Sequence, residues 1–210
     1  MKITLLCDTP DSYIHEHIDE IKKIIRRKKH KVVFVKNKKY IKRGDILFLL
    51  ACSSILSKKE LSKNKKNIVI HPSKLPKNKG SAALIWSVLK GEKKFYLTMF
   101  EADSKVDSGE IYQQSYFRLK GHELSDEIRF FQAKTTLLMI KKFFNNKKNR
   151  KFKQKGKSNF LKRRSPQDSE LDINLPIKKQ FNLLRVVDNK RYPAFFIHKK
   201  KKYILKIYKG

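Results

Sequence analysis

The chain has 210 residues and a mass of 24.9 kDa, enough for one medium domain or a domain with a small appendage. Its formal net charge is +33, but 40% hydrophobic and 11% aromatic residues exclude a disordered polycation. The longest apolar run, Ile46 to Cys52, has seven residues against about 20 for a membrane-spanning helix, and Asp8 comes too soon after the start for a signal peptide, so a soluble cytoplasmic protein with no membrane partner is expected.

In chain order, the apolar run Ile3 to Cys7 ends at Asp8-Thr-Pro-Asp11, and Ile14, Ile18, Ile21 and Ile25 come next at helical spacing. A strand leading into a helix over Tyr13 to Ile25 is predicted. Val32 to Val35 and Ile46 to Leu50 read as further buried strands. A short helix near Lys58 to Ser62 and a fourth strand at Ile68 to Ile70 succeed them. This alternation predicts an α/β fold: a Rossmann-like, doubly wound, mostly parallel sheet. After the turn-rich stretch His71 to Gly80, a helix from about Ser81 to Lys90 leads to strands over Phe95 to Glu101 and Glu110 to Leu119. These two are expected to pair antiparallel around the loop Ala102 to Gly109, and Trp86 is expected in the core. A long amphipathic helix from Glu123 to Asn146 should cover one face of the sheet.

Between Lys141 and Arg164 lie twelve basic residues and no acid, with Asn, Gly and Ser interspersed, which is a linker composition. Beyond it, a helix over Ile177 to Val187 and a hairpin pairing Ala194 to His198 with Tyr203 to Ile207 make a small α+β appendage. The expected organisation is a main domain over 1–147, a solvated basic linker over 148–165, and a C-terminal helix-hairpin subdomain over 166–210.

The charge by itself points to a nucleic-acid partner, but 42 of the 52 basic residues are Lys and only 10 are Arg. Nucleic-acid surfaces favour the planar, bidentate guanidinium, whereas A/T-rich codons supply Lys without selection for a partner. Nucleic acid is therefore the less expected partner. Cys7 and Cys52 stand 45 positions apart with no second pair, which excludes a zinc ribbon, and no metal is expected.

A buried strand ending in His71 places an imidazole at the carboxyl edge of the sheet, where doubly wound folds open their binding crevices. Asp107 lies in another loop, Val106-Asp-Ser-Gly-Glu110, just before a strand. Where the two loops meet, the carboxylate orients the imidazole, and the pair can act as base and proton shuttle.

The segments His71-Pro-Ser-Lys-Leu-Pro-Lys-Asn-Lys-Gly80 and Val106-Asp-Ser-Gly-Glu-Ile111 resemble the two signature elements of the folate-dependent formyltransferases. That family includes glycinamide ribonucleotide transformylase, methionyl-tRNA formyltransferase and the sugar-nucleotide N-formyltransferases. A third element, Arg163-Arg-Ser-Pro-Gln-Asp-Ser169 with Val186-Val-Asp-Asn-Lys-Arg-Tyr-Pro-Ala-Phe-Phe196, resembles the segment just beyond the catalytic domain of the sugar-nucleotide enzymes.

The resemblance implies the formyltransferase fold and transfer of a formyl group from 10-formyltetrahydrofolate to the primary amine of a nucleotide-linked amino sugar. It makes His71 the base and proton shuttle and Asp107 its partner. By family position, Ala51, Cys52, Ser53, Ser54 and Ile55 would line the pterin pocket together with Asp103, Ser104, Lys105 and Val106. Cys52 is incidental there and not a nucleophile. Ser73, Lys77 and Gly80 around the turn are expected substrate contacts; Asn182, Arg185 and Tyr192 across the domain junction are either further substrate contacts or, the favoured reading, a structural network. The sequence leaves the oligomeric state open, with a homodimer as one option. One departure stands out: the best-known members carry Asn two residues before the His, and this chain has Val69, a loss of one oxyanion donor that can cost roughly 3 kcal/mol. The alternatives are formylation of methionyl-tRNA and a non-catalytic RNA-binding protein on the same fold.

Overall fold

The computed structural model describes residues 1–146 and 148–210, so the expected boundary at Lys147 lies outside the described residues. In chain order the elements are β1 (Lys2–Leu6), α1 (Ile18–Arg26), β2 (Lys31–Val35), β3 (Gly44–Leu49), α2 (Lys58–Leu61), β4 (Asn64–His71), β5 (Lys79–Gly80), α3 (Ala83–Leu89), β6 (Lys94–Glu101), β7 (Ile111–Arg118), α4 (Ser125–Asn145), β8 (Phe160–Leu161), α5 (Ile177–Val186), β9 (Ala194–His198) and β10 (Lys201–Leu205). Six strands form one sheet in the order β2-β1-β3-β4-β6-β7. The first four run parallel, and β6 and β7 complete the sheet antiparallel.

Strand alternation distributes the apolar side chains to both faces, which is why β1, β3 and the end of β4 read as near-continuous apolar runs. Leu5, Phe48 and Ile68 pack with Ile18, Ile21 and Ile25 of α1 and with Ile140 and Phe143 of α4. Leu6, Leu47 and Leu49 face the other way, onto Ile41 and Leu56. The helix predicted from Tyr13 is divided: Tyr13–His17 is a 3-10 turn, and regular helix starts at Ile18. Ser12 is the cause, because its hydroxyl and carbonyl accept from Ile14 N and His15 N and tighten the first turn.

The stretch expected as a solvated linker lies against the body of the fold. Phe152 exchanges both backbone hydrogen bonds with Ile111, at 2.8 and 3.0 Å, and β8 pairs with β5. Backbone groups in the loops beside the sheet need partners, and this segment supplies them. Trp86, expected in the core, is half-buried and donates Nε1 to Lys162 O at 3.0 Å.

One buried ion pair ties the C-terminal piece to the main sheet unit. Arg185 of α5 donates Nε to Glu123 O at 2.9 Å and Nη2 to Glu123 Oε2 at 3.2 Å. Burial opposes ionisation of Glu123, but the N–H groups of Lys120, Gly121 and Glu123 itself, with His122 nearby, outweigh it and hold the carboxyl at about 2. Because that value lies below the ordinary 4.5, the stabilisation is fully present above about pH 4.5 and is lost as pH falls toward 2. Thermal melts should show a falling Tm across that window, and Glu123→Gln should flatten it. An equally steep fall in the variant would assign the acid sensitivity to another group.

Candidate active site

β4 ends at His71, whose strand partner in β6 is Thr98. Asn67, Val69 and His71 share one face of the strand, opposite Ile68 and Ile70. The chain then folds back on itself: Ser73 N donates to His71 O, Ser73 Oγ to Lys77 O at 2.8 Å, and Thr98 Oγ1 to Ser73 O at 2.7 Å. This turn brings Asn78 to the imidazole, and His71 Nε2 lies 3.0 Å from Asn78 O. A carbonyl only accepts, so Nε2 carries a hydrogen, and in the neutral ring Nδ1 holds the lone pair.

That nitrogen faces Asp107 Oδ2 at 3.7 Å, too far for a hydrogen bond and close enough for an ion pair once the ring is charged. Both side chains are nearly enclosed, at 9% and 13% exposure. Asp107 reaches the ring because its loop is clamped. Gly80 N donates to Asp107 Oδ2 at 2.8 Å, and Gly109 lies so close to Glu101 O that no Cβ fits between them.

Of the two loops expected around a pterin, Ala51 to Ile55 follows β3, and Asp103 to Val106 follows the end of β6, where Ala102 N donates to Asn67 O. Asp8 accepts the backbone N–H groups of Ser53 and Ser54, at 2.6 and 3.2 Å, and both hydroxyls, which shapes the Ala51 to Ile55 loop. Asp103, Ser104, Lys105 and Val106 are exposed, as is Ile55, and Asp103 Oδ1 accepts from Lys105 N. Cys52 donates to Leu6 O, and burial, reinforced by the Asp8 charge, pushes its thiol up. A protonated thiol is a poor nucleophile.

Next to Pro72 a cleft of about 350 Å³ opens, mostly apolar through Leu84, Ile85, Val88 and Ile128, with polar Thr9, Ser12, Ser81 and Gln132. Arg129, Arg191 and Tyr192 also line it. Both guanidiniums touch Asp188, at 3.1 and 2.8 Å. Burial opposes the charge on Asp188, but the bonds from Arg191, Lys190 N and Arg129 hold its carboxyl well below the usual range. Sequence reasoning missed Thr9, Ser12, Arg129 and Arg191; the Asp8-Thr-Pro-Asp11 turn at the carboxyl end of β1 was the available signal for the first two.

Of the candidate substrate contacts, Arg185 and Asn182 form the structural network that is the favoured reading for them. Arg185 is committed to Glu123, and Asn182 Oδ1 accepts from Arg185 Nη1 at 3.1 Å, so both serve the ion pair under α5. Ser73 is buried and closes the turn, and Lys77 points to solvent. Gly80 contributes its N–H to Asp107, and Tyr192 is on the cleft. Asn67 is no substitute for the missing amide: its Nδ2 donates to Leu61 O at 3.0 Å, and it stands one strand alternation before Val69, farther from His71. Among the described residues, no cluster of three or more His, Cys, Asp or Glu side chains could hold a metal, and no helix is long and apolar enough to cross a membrane.

Residues 11–135 match the formyl transferase family. The chain is 29% identical over 123 residues to methionyl-tRNA formyltransferase of Mycoplasma genitalium, covering 57% of this chain and 40% of that protein. It thus spans less than half of that curated relative. Among solved structures, methionyl-tRNA formyltransferase from Clostridium thermocellum superposes with a TM-score of 0.85 at 20% identity, covering 99% of this chain and 92% of that one. A 4-N formyltransferase from Francisella tularensis gives a TM-score of 0.78 at 18% identity, covering 98% and 96%.

Proposed function

The chain belongs to the formyl transferase family, and on that premise we propose that it transfers a formyl group from 10-formyltetrahydrofolate to the primary amine of a nucleotide-linked amino sugar. The observation that carries the acceptor is the cleft beside Pro72, the residue after His71, which is sized for a small molecule and lined by two guanidiniums. The guanidinium N–H groups of Arg129 and Arg191 not spent on Asp188 suit a diphosphate. Ala51 to Ile55 and Asp103 to Val106, of which Ala51 lines the cleft, are assigned to the pterin by family position.

The chemistry needs one group that both takes and gives a proton. The acceptor amine attacks only when unprotonated, its nitrogen bonds to the formyl carbon, and the bond from that carbon to the folate nitrogen breaks once that nitrogen is protonated. His71 Nδ1 is assigned to take the amine proton and return it to the leaving nitrogen. In between, the imidazolium faces the Asp107 carboxylate, which stabilises it, while Asn78 O keeps the ring from turning.

The test is incubation with 10-formyltetrahydrofolate and a panel of nucleoside-diphosphate amino sugars, alongside methionyl-tRNA, read by mass. A gain of one formyl group on a sugar nucleotide supports the proposal. A gain on methionyl-tRNA alone moves the assignment to the second reading, which the match to the Mycoplasma enzyme favours.

Val69 bears on how the oxyanion is stabilised. Its side chain shares the His71 face of β4 and packs against two apolar clusters, that of Leu75, Phe100 and Ile111 and that of Leu6, Leu47 and Leu49. On the formyl-transfer reading, Val69→Asn puts a carboxamide on the His71 face of β4 and is expected to raise turnover by up to about tenfold, a gain of about 1.4 kcal/mol. A folded variant with unchanged or lower turnover would show that another donor already fills that role.

A further inference from the structure

Two backbone positions define the His71–Asp107 pair, and both are left-handed. Asn78, at φ 58°, offers the carbonyl that engages Nε2, and Asp107, at φ 50°, carries the carboxylate facing Nδ1. Residues other than glycine persist in that region when their surroundings over-determine them. Both positions are held by the same segment of chain. Asn159 Oδ1 accepts from Asn78 N at 2.9 Å, Asn159 Nδ2 donates to Asn78 Oδ1 at 3.2 Å, and Asn159 O accepts from Lys79 N at 3.0 Å. Gln154 Nε2 donates to Asp107 O at 3.0 Å and to Gly109 O at 2.9 Å.

The segment is anchored on either side of these two amides. Phe152 pairs with Ile111 before Gln154, and Phe160 and Leu161 pair with β5 after Asn159. Its lysines do not take part in these contacts: Lys153, Lys155 and Lys157 are exposed, whereas Gln154 is half-buried. The basic composition therefore conceals a strap whose two carboxamides reach one catalytic loop each.

We propose that Gln154 and Asn159 are positioning residues for formyl transfer, through which this strap sets the tautomer of His71 and its spacing from Asp107. The proposal rests on the formyl-transfer reading of the site. Gln154→Glu keeps the shape and loses both donated hydrogen bonds, and Asn159→Ala releases Asn78. Asn159→Asp retains the acceptor for Asn78 N.

The experiment uses the full chain with ¹⁵N-labelled histidine and measures steady-state kinetics, the pH–rate profile and the His71 ring nitrogen signals. Gln154→Glu and Asn159→Ala are expected to lower kcat by about 10 to 100-fold, as misplacement of a reacting group does, with KM for 10-formyltetrahydrofolate within about twofold. Their pH–rate profiles should shift, and the ring signals should move from the Nε2–H form toward a mixture of tautomers. Asn159→Asp sits at an exposed site, should fold as the wild type does, and should recover part of the activity lost in Asn159→Ala. Unchanged kcat and unchanged ring signals in both variants overturn the proposal, as does a loss of thermal stability alone with wild-type ring signals. If the wild type transfers no formyl group, the formyl-transfer reading falls, and the ring signals of the variants decide whether the strap positions His71.

Discussion

On the proposed function, His71→Ala is expected to lower formyl transfer by at least about 100-fold and to leave the fold intact, since removal of a general base costs about 10² to 10⁴. The imidazole stands at the end of β4, and its truncation removes one bond to Asn78 O without disturbing the apolar side chains of the strand. Asp107→Asn should be similarly severe for a different reason. The carboxylate faces Nδ1, and an amide there presents a donor to the lone pair that must accept the amine proton. The Ser-His-Asp proteases show that exchanging such a carboxylate for an amide can cost about 10⁴ by enforcing the wrong tautomer. Turnover, thermal melts and folate binding should be measured together. Near wild-type turnover in either variant, with an acceptor established for the wild type, would remove that residue from the mechanism.

Gly109→Ala should have the largest effect on stability. A Cβ at this position would overlap Glu101 O and lie 2.8 Å from Glu101 C, both backbone atoms at the end of β6. Neither can move alone, because Glu101 N is bonded to Glu110 O at 2.9 Å and the strand is held on its other side by β4. The loop must give way, and Asp107 moves with it. A destabilisation of at least about 3 kcal/mol is expected, in the range reserved for a named steric fault, together with a loss of turnover. Denaturant midpoints measure it, and a change below about 1 kcal/mol would mean that the loop relaxes without cost and that the clamp on Asp107 lies elsewhere.

The parallel sheet was legible because its signals are local. β1, β3 and the last part of β4 are apolar runs bounded by turn residues, and α1 repeats Ile at helical spacing, so each element could be read within a dozen residues. The hairpin was placed correctly at Ala194, but its second strand starts earlier than expected, at Lys201. Its turn residues Lys199 and Lys200 both have positive φ, a conformation that composition assigns to Gly or Asn. His71 and Asp107 could be named as a candidate pair because each sits beside a recognisable strand end, and their approach to 3.7 Å is a property of the folded chain.

The order of strands and helices and the chemistry available at the edge of the sheet were thus determined by the sequence alone, since periodicity and turn residues act between near neighbours. Tertiary structure decided which polar side chains serve the site and which serve the frame. Arg185 and Asn182 went to the frame because a buried Glu123 needs a partner, and no periodicity announces that need. Gln154 and Asn159 went to the site although their surroundings read as linker, because they meet Asp107 and Asn78 across 47 and 81 residues of chain. Hydrogen bonds of that span form only when the fold brings unpaired backbone groups within reach of an amide, and nothing in the local pattern of a Lys-rich segment distinguishes the amide that will be used from the one left in water.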